Sequence, residues 1–259
     1  MNDLIYIDVG ARWGNNTRMS GGNKYNFDVY FDNVIAHGFE PDPEEFERLK
    51  NDSNNIYYKT ALDKTKGKRT LYIMTSPDWS SFYRPDIENS KQFEGVSYCN
   101  IIDKEVEVET DTLDNVLDDG DFIKIDTEGS EYDIMLGGKD LFKDRIMCAE
   151  VEVYFYPIRE DQATFGEIHK FMLDNKFQLF NISKNKYMRS GFPSIWLTKG
   201  QMLWGDALYL KDYRYVDDTN KLHKLYNLAL SFGYPDYATE IAKKLRYILP
   251  NSDYTFKRE

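Results

Sequence analysis

The sequence predicts an α/β protein built on an open, mostly parallel sheet. Two observations carry this. Short apolar runs alternate with segments that open on helix start signals, the rhythm of strands joined by crossover helices. Three of those runs also end on an acid: Leu4-Ile-Tyr-Ile-Asp8, Val34-Ile-Ala-His-Gly-Phe-Glu40 and Phe122-Ile-Lys-Ile-Asp126. Open α/β sheets hold ligands beyond the C-terminal ends of their strands. Acids in this order point to a nucleoside-bearing ligand there.

Residues 4–9 read as the first strand, running into Asp8-x-Gly10-x-x-x-Gly14. Glycine lets a backbone approach a ligand, and the N–H groups of a following helix attract an anion. The spacing is not the dinucleotide G-x-G-x-x-G, because Ala11-Arg12-Trp13 fills the middle, and this counts against NAD or FAD. A polar segment, Asn15–Asn33, separates this turn from a second strand over 33–40. Asp42, Pro43 and Glu45 then predict a helix opened by a capping box, with Phe46 and Leu49 facing inward. A third strand spans 55–62. Residues 67–74 and 104–110 alternate with period two and predict an antiparallel pair inserted beside the main sheet. The long loop between them carries Ser76-Pro-Asp-Trp-Ser80-Ser81-Phe-Tyr, and loops of that length are more often functional than idle.

A short helix is expected at 112–117, a fourth strand at 121–126 and a fifth at 145–153. Phe165, Ile168, Phe171 and Met172 form one stripe of a helix over 163–174. Residues 177–182 and 194–197 predict a closing hairpin. Beyond residue 201 the spacing turns helical at 219–232 and 237–249, with Gly233-Tyr-Pro235 between. The expected organisation is one domain over 1–200 and a C-terminal helical hairpin over 201–259.

The 259 residues suffice for one such domain with an appendage, and the net charge of −11 repels phosphate backbones and anionic lipid. Nucleic acid is therefore not expected as a partner, although a local basic patch remains compatible with the total. Cys99 and Cys148 form no framework, which fits a reducing compartment. No apolar run approaches 18 residues, so no membrane span is expected. Met1-Asn-Asp-Leu leads straight into a strand, so no signal peptide is expected either. The expectation is a soluble cytoplasmic protein, in a host cell if the source is viral.

Asp126, Glu128 and Glu131 crowd one glycine turn, and Glu150 and Glu152 on the next strand face the same region. One carboxylate there could take a proton from a substrate hydroxyl. Several together could hold a hard divalent cation, a reading admitted but not favoured. His37, His169 and His223 lack ligand spacing, so no histidine metal site is expected.

The ordered set Tyr6-Ile-Asp-Val-Gly-Ala11, Gly38-Phe-Glu-Pro-Asp-Pro43, Ala61-Leu62, Gly67-x-x-Thr70-Leu71-Tyr72, Ser80-Ser81-Phe82, Thr112-Leu113-Asp114 and Ile123-Lys-Ile-Asp-Thr-Glu-Gly-Ser-Glu131 resembles the FkbM-type methyltransferases. These are a branch of the class I methyltransferases that use S-adenosylmethionine. The resemblance runs from about residue 4 to 183. It implies a seven-stranded Rossmann-like sheet with an antiparallel closing strand, and methyl transfer to a hydroxyl oxygen, often of a sugar or natural product. It implies that Asp8 and Gly10, with Ala11 and Gly14, line the methionine end of the cofactor. Glu40 and Pro41 would bind its ribose, Ala61 and Leu62 would flank adenine, and Asp126 would sit beside the transferring methyl. Catalytic candidates are Asp126, Glu128 and Glu150, and substrate-binding candidates are Arg12, Trp13, Ser80, Ser81 and Glu131. The family commonly has Asn and a further glycine where Arg12 and Trp13 stand, and helices before the first strand that this sequence does not show. The expected function is O-methyl transfer to a sugar, glycan or glycosylated small molecule. The alternatives are a non-catalytic binding protein and a protein or peptide methyltransferase. A homo-oligomer is compatible with all three.

Overall fold

The computed structural model describes residues 3–12, 25–51 and 55–248. Eight strands form the main sheet: β1 (Asp3–Val9), β2 (Asn33–Phe39), β3 (Ile56–Tyr58), β7 (Phe122–Ile125), β8 (Cys148–Tyr154), β9 (Phe177–Ile182), β10 (Asn185–Tyr187) and β11 (Gln201–Lys211). Their order is β3-β2-β1-β7-β8-β11, with β9 and β10 both on the outer edge of β11. The first five are mutually parallel. β11 runs antiparallel to β8 and to the β9–β10 edge. This is a mostly parallel sheet with an antiparallel closing strand, as expected. The strand order reverses at β1 and β7, the switch point where such sheets open a crevice. A second sheet of β4 (Ala61–Leu62), β6 (Ile102–Asp111) and β5 (Gly67–Met74) stands beside it.

Side-chain alternation sends each strand's residues to two cores. One face carries Leu4, Tyr6, Phe122, Cys148 and Leu208, and on it lie α9 (Thr219–Ser231) and α10 (Pro235–Ile248). Leu222, Leu225, Ile241 and Leu245 from those helices are fully buried, each contributing about 1.5–3 kcal/mol by leaving water. Tyr25 and Phe27, at the end of the segment read as polar, join this core by stacking on each other and packing against Phe122 and Phe232. Short helix α1 (Phe27–Tyr30) follows. The other face carries Ile7, Val9, Ile123, Ile125, Val151 and Tyr209. It is covered by α6 (Glu131–Leu136), α7 (Lys139–Asp144) and α8 (Phe165–Asp174), the last opened by a Thr164–Glu167 capping box. The remaining helices are α2 (Pro43–Leu49), α5 (Leu113–Val116) and the single turns α3 (Ile87–Ser90) and α4 (Val96–Cys99).

Several expectations need correction. The single strand over 55–62 is two: Ile56–Tyr58 stays in the main sheet, while Ala61-Leu62 pairs in parallel with Thr110-Asp111 of β6. The inserted pair is thus a three-stranded sheet. Asp42 caps α2 through the Glu44 N–H, but Glu45 turns to Arg12 and Arg48 instead of completing a box. Residues 194–197 form no strand; Ser194 caps a 3₁₀ turn, and the returning strand is β11. The boundary at 200 therefore falls at the start of a strand deep in the sheet, and the helical part begins at Thr219.

Candidate active site

A cavity of about 230 Å³ opens at the C-terminal ends of β1, β2 and β7 and runs toward the small sheet. Gly10 fixes its floor. Gly10 takes φ +91°, and a Cβ there would stand 2.0 Å from the Asp126 carbonyl oxygen, so only glycine lets β1 and β7 end this close. The Gly10 and Ala11 N–H groups both donate to the Phe39 carbonyl, tying the turn to β2. Glu40 follows directly and lines the cavity. Its Oε1 accepts from the Asp42 N–H at 2.9 Å. Burial raises its carboxyl from 4.5 to about 7, against the opposing pull of that bond and of Arg12. Pro41 lines the same wall, and Ala61 and Leu62 face it across an apolar slot with Leu71, Phe82 and Ile134. Arg12 stands at the wall with its guanidinium among Asp42, Glu45 and Asp78.

The far end is acidic. Parallel register sets Asp8, Lys124 and Glu150 in one row across β1, β7 and β8. Two residues further along the same face come Asp126 and Glu152. Carboxylate oxygens of Asp126, Glu128 and Glu152 lie within 4.8 Å of one another, and these three could hold a cation. Lys124 Nζ donates to Asp126 Oδ2 at 2.8 Å. Burial pushes this ammonium down, but Asp126, Asp8 and Glu150 push it up further and keep it charged. Arg159, fully buried, donates to Glu128 Oε2 at 2.6 Å, to the Trp79 carbonyl and to Asn100. The Tyr154 hydroxyl reaches both Glu128 Oε2 and Glu152 Oε2 at 2.9 Å. Burial, with Glu128 and Asp126 beside it, raises the Glu152 carboxyl well above its ordinary range. Glu128 itself takes φ +59°, a left-handed conformation that costs a residue other than glycine about 1–2 kcal/mol. Bonds from Arg159 and Tyr154 hold it there.

Of the residues singled out in the sequence, Gly10, Arg12, Glu40, Pro41, Ala61, Leu62, Ser80, Asp126 and Glu128 all line this one cavity. Ser80 does so with its hydroxyl already donated to the Pro77 carbonyl. Gly14 and Trp13 lie outside the described residues. Five others stand back from the cavity. Asp8 is fully buried beneath it. Ala11 packs toward Gly38. Ser81 donates to the Glu128 carbonyl at 2.6 Å and holds the loop instead of a ligand. Glu131 spends Oε1 on the Thr127 N–H and hydroxyl and the Gly129 N–H, so it organises the turn; burial raises its carboxyl to about 7. Glu150 accepts from the Tyr25 hydroxyl at 2.6 Å, one row below the acids. Glu152 is the acid level with Asp126, although it too stands behind the cavity lining. Register was the missing signal: Ile125 pairs with Val151, which puts Asp126 level with Glu152. Lys124 and Arg159 were also missed, because residue type alone does not separate a buried cation from a surface one, and Tyr154 lay just past the expected end of the fifth strand.

An open, mostly parallel sheet with a cavity at its switch point defines the class of fold. Residues 8–179 match the Methyltransferase FkbM domain, and the chain belongs to that family. Among solved structures it is similar to the methyltransferase FkbM of Methylobacillus flagellatus, at 14% identity over 81% of this chain and 44% of that one, with TM-score 0.47. It is also similar to magnesium protoporphyrin IX methyltransferase of Synechocystis with bound S-adenosylmethionine (9% identity, 81% and 71% covered, TM-score 0.38). A third is an S-adenosylmethionine-dependent methyltransferase of Anabaena variabilis (10%, 80% and 75%, TM-score 0.33). The chain spans less than half the length of the Methylobacillus protein. No curated protein matches it.

Proposed function

We propose that this chain is an S-adenosylmethionine-dependent O-methyltransferase acting on a hydroxyl of a sugar, glycan or glycosylated small molecule. The observation that carries this reading is one cavity with two unlike ends: a buried carboxylate beside an apolar slot, and a converging acid group. The donor set fits the cofactor. Glu40, once ionised, accepts from ribose hydroxyls; Ala61, Leu62, Leu71 and Phe82 form an apolar slot for adenine. When bound, the cofactor supplies an electrophilic methyl on a cationic sulfur.

The chain's own residues do the rest. Asp126, at the cavity wall, offers a carboxylate to that cation, and Lys124 fixes its orientation. The acids grouped there, Asp126 and Glu128 at the cavity wall with Glu152 packed behind them, supply the carboxylate that takes the proton from the acceptor hydroxyl as oxygen attacks. Alignment of acceptor, methyl and sulfur supplies much of the rate, so a rigid turn at Gly10 and Glu128 serves the chemistry directly. The test is calorimetric binding of S-adenosylmethionine followed by turnover on a panel of sugars and glycosides. Binding with methylated sugar product supports the reading. Binding without turnover on any hydroxyl, amine or peptide acceptor supports a non-catalytic role, and methylation confined to peptides supports a protein methyltransferase.

A further inference from the structure

The chain carries 44 acidic residues against 33 Lys and Arg, yet from Ser183 to Gly205 there is no acid and there are four cations: Lys184, Lys186, Arg189 and Lys199. This stretch is the outermost hairpin of the sheet, β10 returning into β11. Its loop presents an apolar tip. Trp196 is 92% exposed, Leu197 71%, Ile195 45% and Phe192 42%. Exposed clusters of this kind mark interaction surfaces.

The tip is built, not frayed. Ser194 caps the Ile195–Leu197 turn through the Trp196 N–H. At the root, Arg189 donates to Gln92 and Gln201 and lies 4.4 Å over the Phe93 ring. The Ser190 hydroxyl donates to the Lys91 carbonyl. Lys184, Lys186 and Lys199 are exposed and carry no ion pair among the described residues. A rigid loop therefore holds aromatic and aliphatic side chains outward inside a collar of free ammonium groups.

The geometry points to this loop as an anchor that docks the protein on an anionic lipid surface. Trp and Phe settle at the headgroup level, Ile and Leu enter the acyl boundary, and the lysines meet lipid phosphates and carboxylates. A second copy of this chain fits less well. A stable dimer needs about 800 Å² from each partner, and a two-fold axis at the tip would bring like charges together. Nucleic acid fits less well still, since Ile195 and Leu197 add nothing to a base stack; the net charge of −11 opposes a polynucleotide and an anionic bilayer alike, so the local collar, within a screening length of the surface, carries the attraction. At the hairpin root Tyr187 packs 4.5 Å from Trp204, which lies 6.0 Å from Tyr154, the residue that bridges Glu128 and Glu152. The sheet edge next to the acids is thus the edge that meets the bilayer.

Co-sedimentation of the full chain with vesicles tests this, without recourse to methyl transfer. Vesicles of mixed phosphatidylcholine and phosphatidylserine should bind the protein, with affinity falling as salt rises, and phosphatidylcholine alone should bind it far less. Replacing Lys184, Lys186 and Lys199 together by Gln should weaken binding on the order of a hundredfold. Trp196→Ser with Leu197→Ser should abolish it with no change in thermal midpoint, because both side chains are already in water. Trp196→Phe should keep most binding but lose the blue shift of tryptophan emission on vesicles. The proposal is overturned by any of three results: no binding to the mixed vesicles at low salt, binding that the double Ser variant retains, or a dimer in sedimentation equilibrium that this variant dissolves.

Discussion

The two ends of the cavity are built by different means. At the end that carries Glu40, the backbone sets the shape. Gly10 lies where β1 meets β7, Glu40 follows the last residue of β2, and Ala61-Leu62 sit where the chain crosses between sheets. At the acidic end, side chains from distant segments converge. Asp126, Glu128 and Glu152 repel one another and are held by Lys124, Arg159 and Tyr154. The first end is rigid because strand pairing is rigid. The second is a store of unfavourable charge, which is how sites raise the basicity of a carboxylate.

The contrast predicts which changes break the fold and which break the chemistry. Arg159→Met should have the largest effect on stability, about 3–5 kcal/mol in denaturant melts, because it leaves the half-buried Glu128 carboxylate, the Trp79 carbonyl and Asn100 without their shared cation. Gly10→Ala should destabilise by about 3 kcal/mol and also abolish cofactor binding, since the new Cβ meets the Asp126 carbonyl. Glu152→Gln should lower turnover about tenfold while cofactor affinity holds and melting is unchanged or higher, because it removes one of three mutually repelling carboxyls. Asp126→Ala should likewise reduce turnover more than binding. Equal loss of binding in both would show that the acids form part of the cofactor site instead.

The smallest effect is in pH, and its signs differ between the two states. Glu40 and Glu131 are both raised from 4.5 to about 7 by burial. The folded chain then holds more protons than the unfolded chain across that window, so stability is greatest below 4.5 and is lost as pH rises through about 7. Thermal melts of the apo protein should fall along that rise, and Glu40→Gln should flatten part of the fall. Cofactor affinity should run the other way, weakening as pH drops below about 7, because ribose hydroxyls need an ionised acceptor at Glu40.

The Glu40 end was largely legible in the sequence because its residues are local signals: a glycine turn, and acids that end apolar runs. Gly10, Glu40, Ala61 and Leu62 all reach the cavity. The acidic end was legible only as a crowd. Choosing Glu150 over Glu152 needed the β7–β8 register, which spacing within one strand does not carry. Glu131 looked available because sequence does not reveal that its oxygen closes its own turn. The strand Gln201–Lys211 was passed over because Ile195-Trp-Leu has a better strand composition, although those side chains point into solvent.

The most direct test is a calorimetric titration of S-adenosylmethionine into the wild-type chain and into Glu40→Ala. Saturable binding to the wild type, weakened at least about tenfold in the variant while its melting temperature is unchanged or higher, is the expected result. Equal affinity in the two proteins, or no heat with either, would contradict the assignment of this sheet edge to a nucleoside.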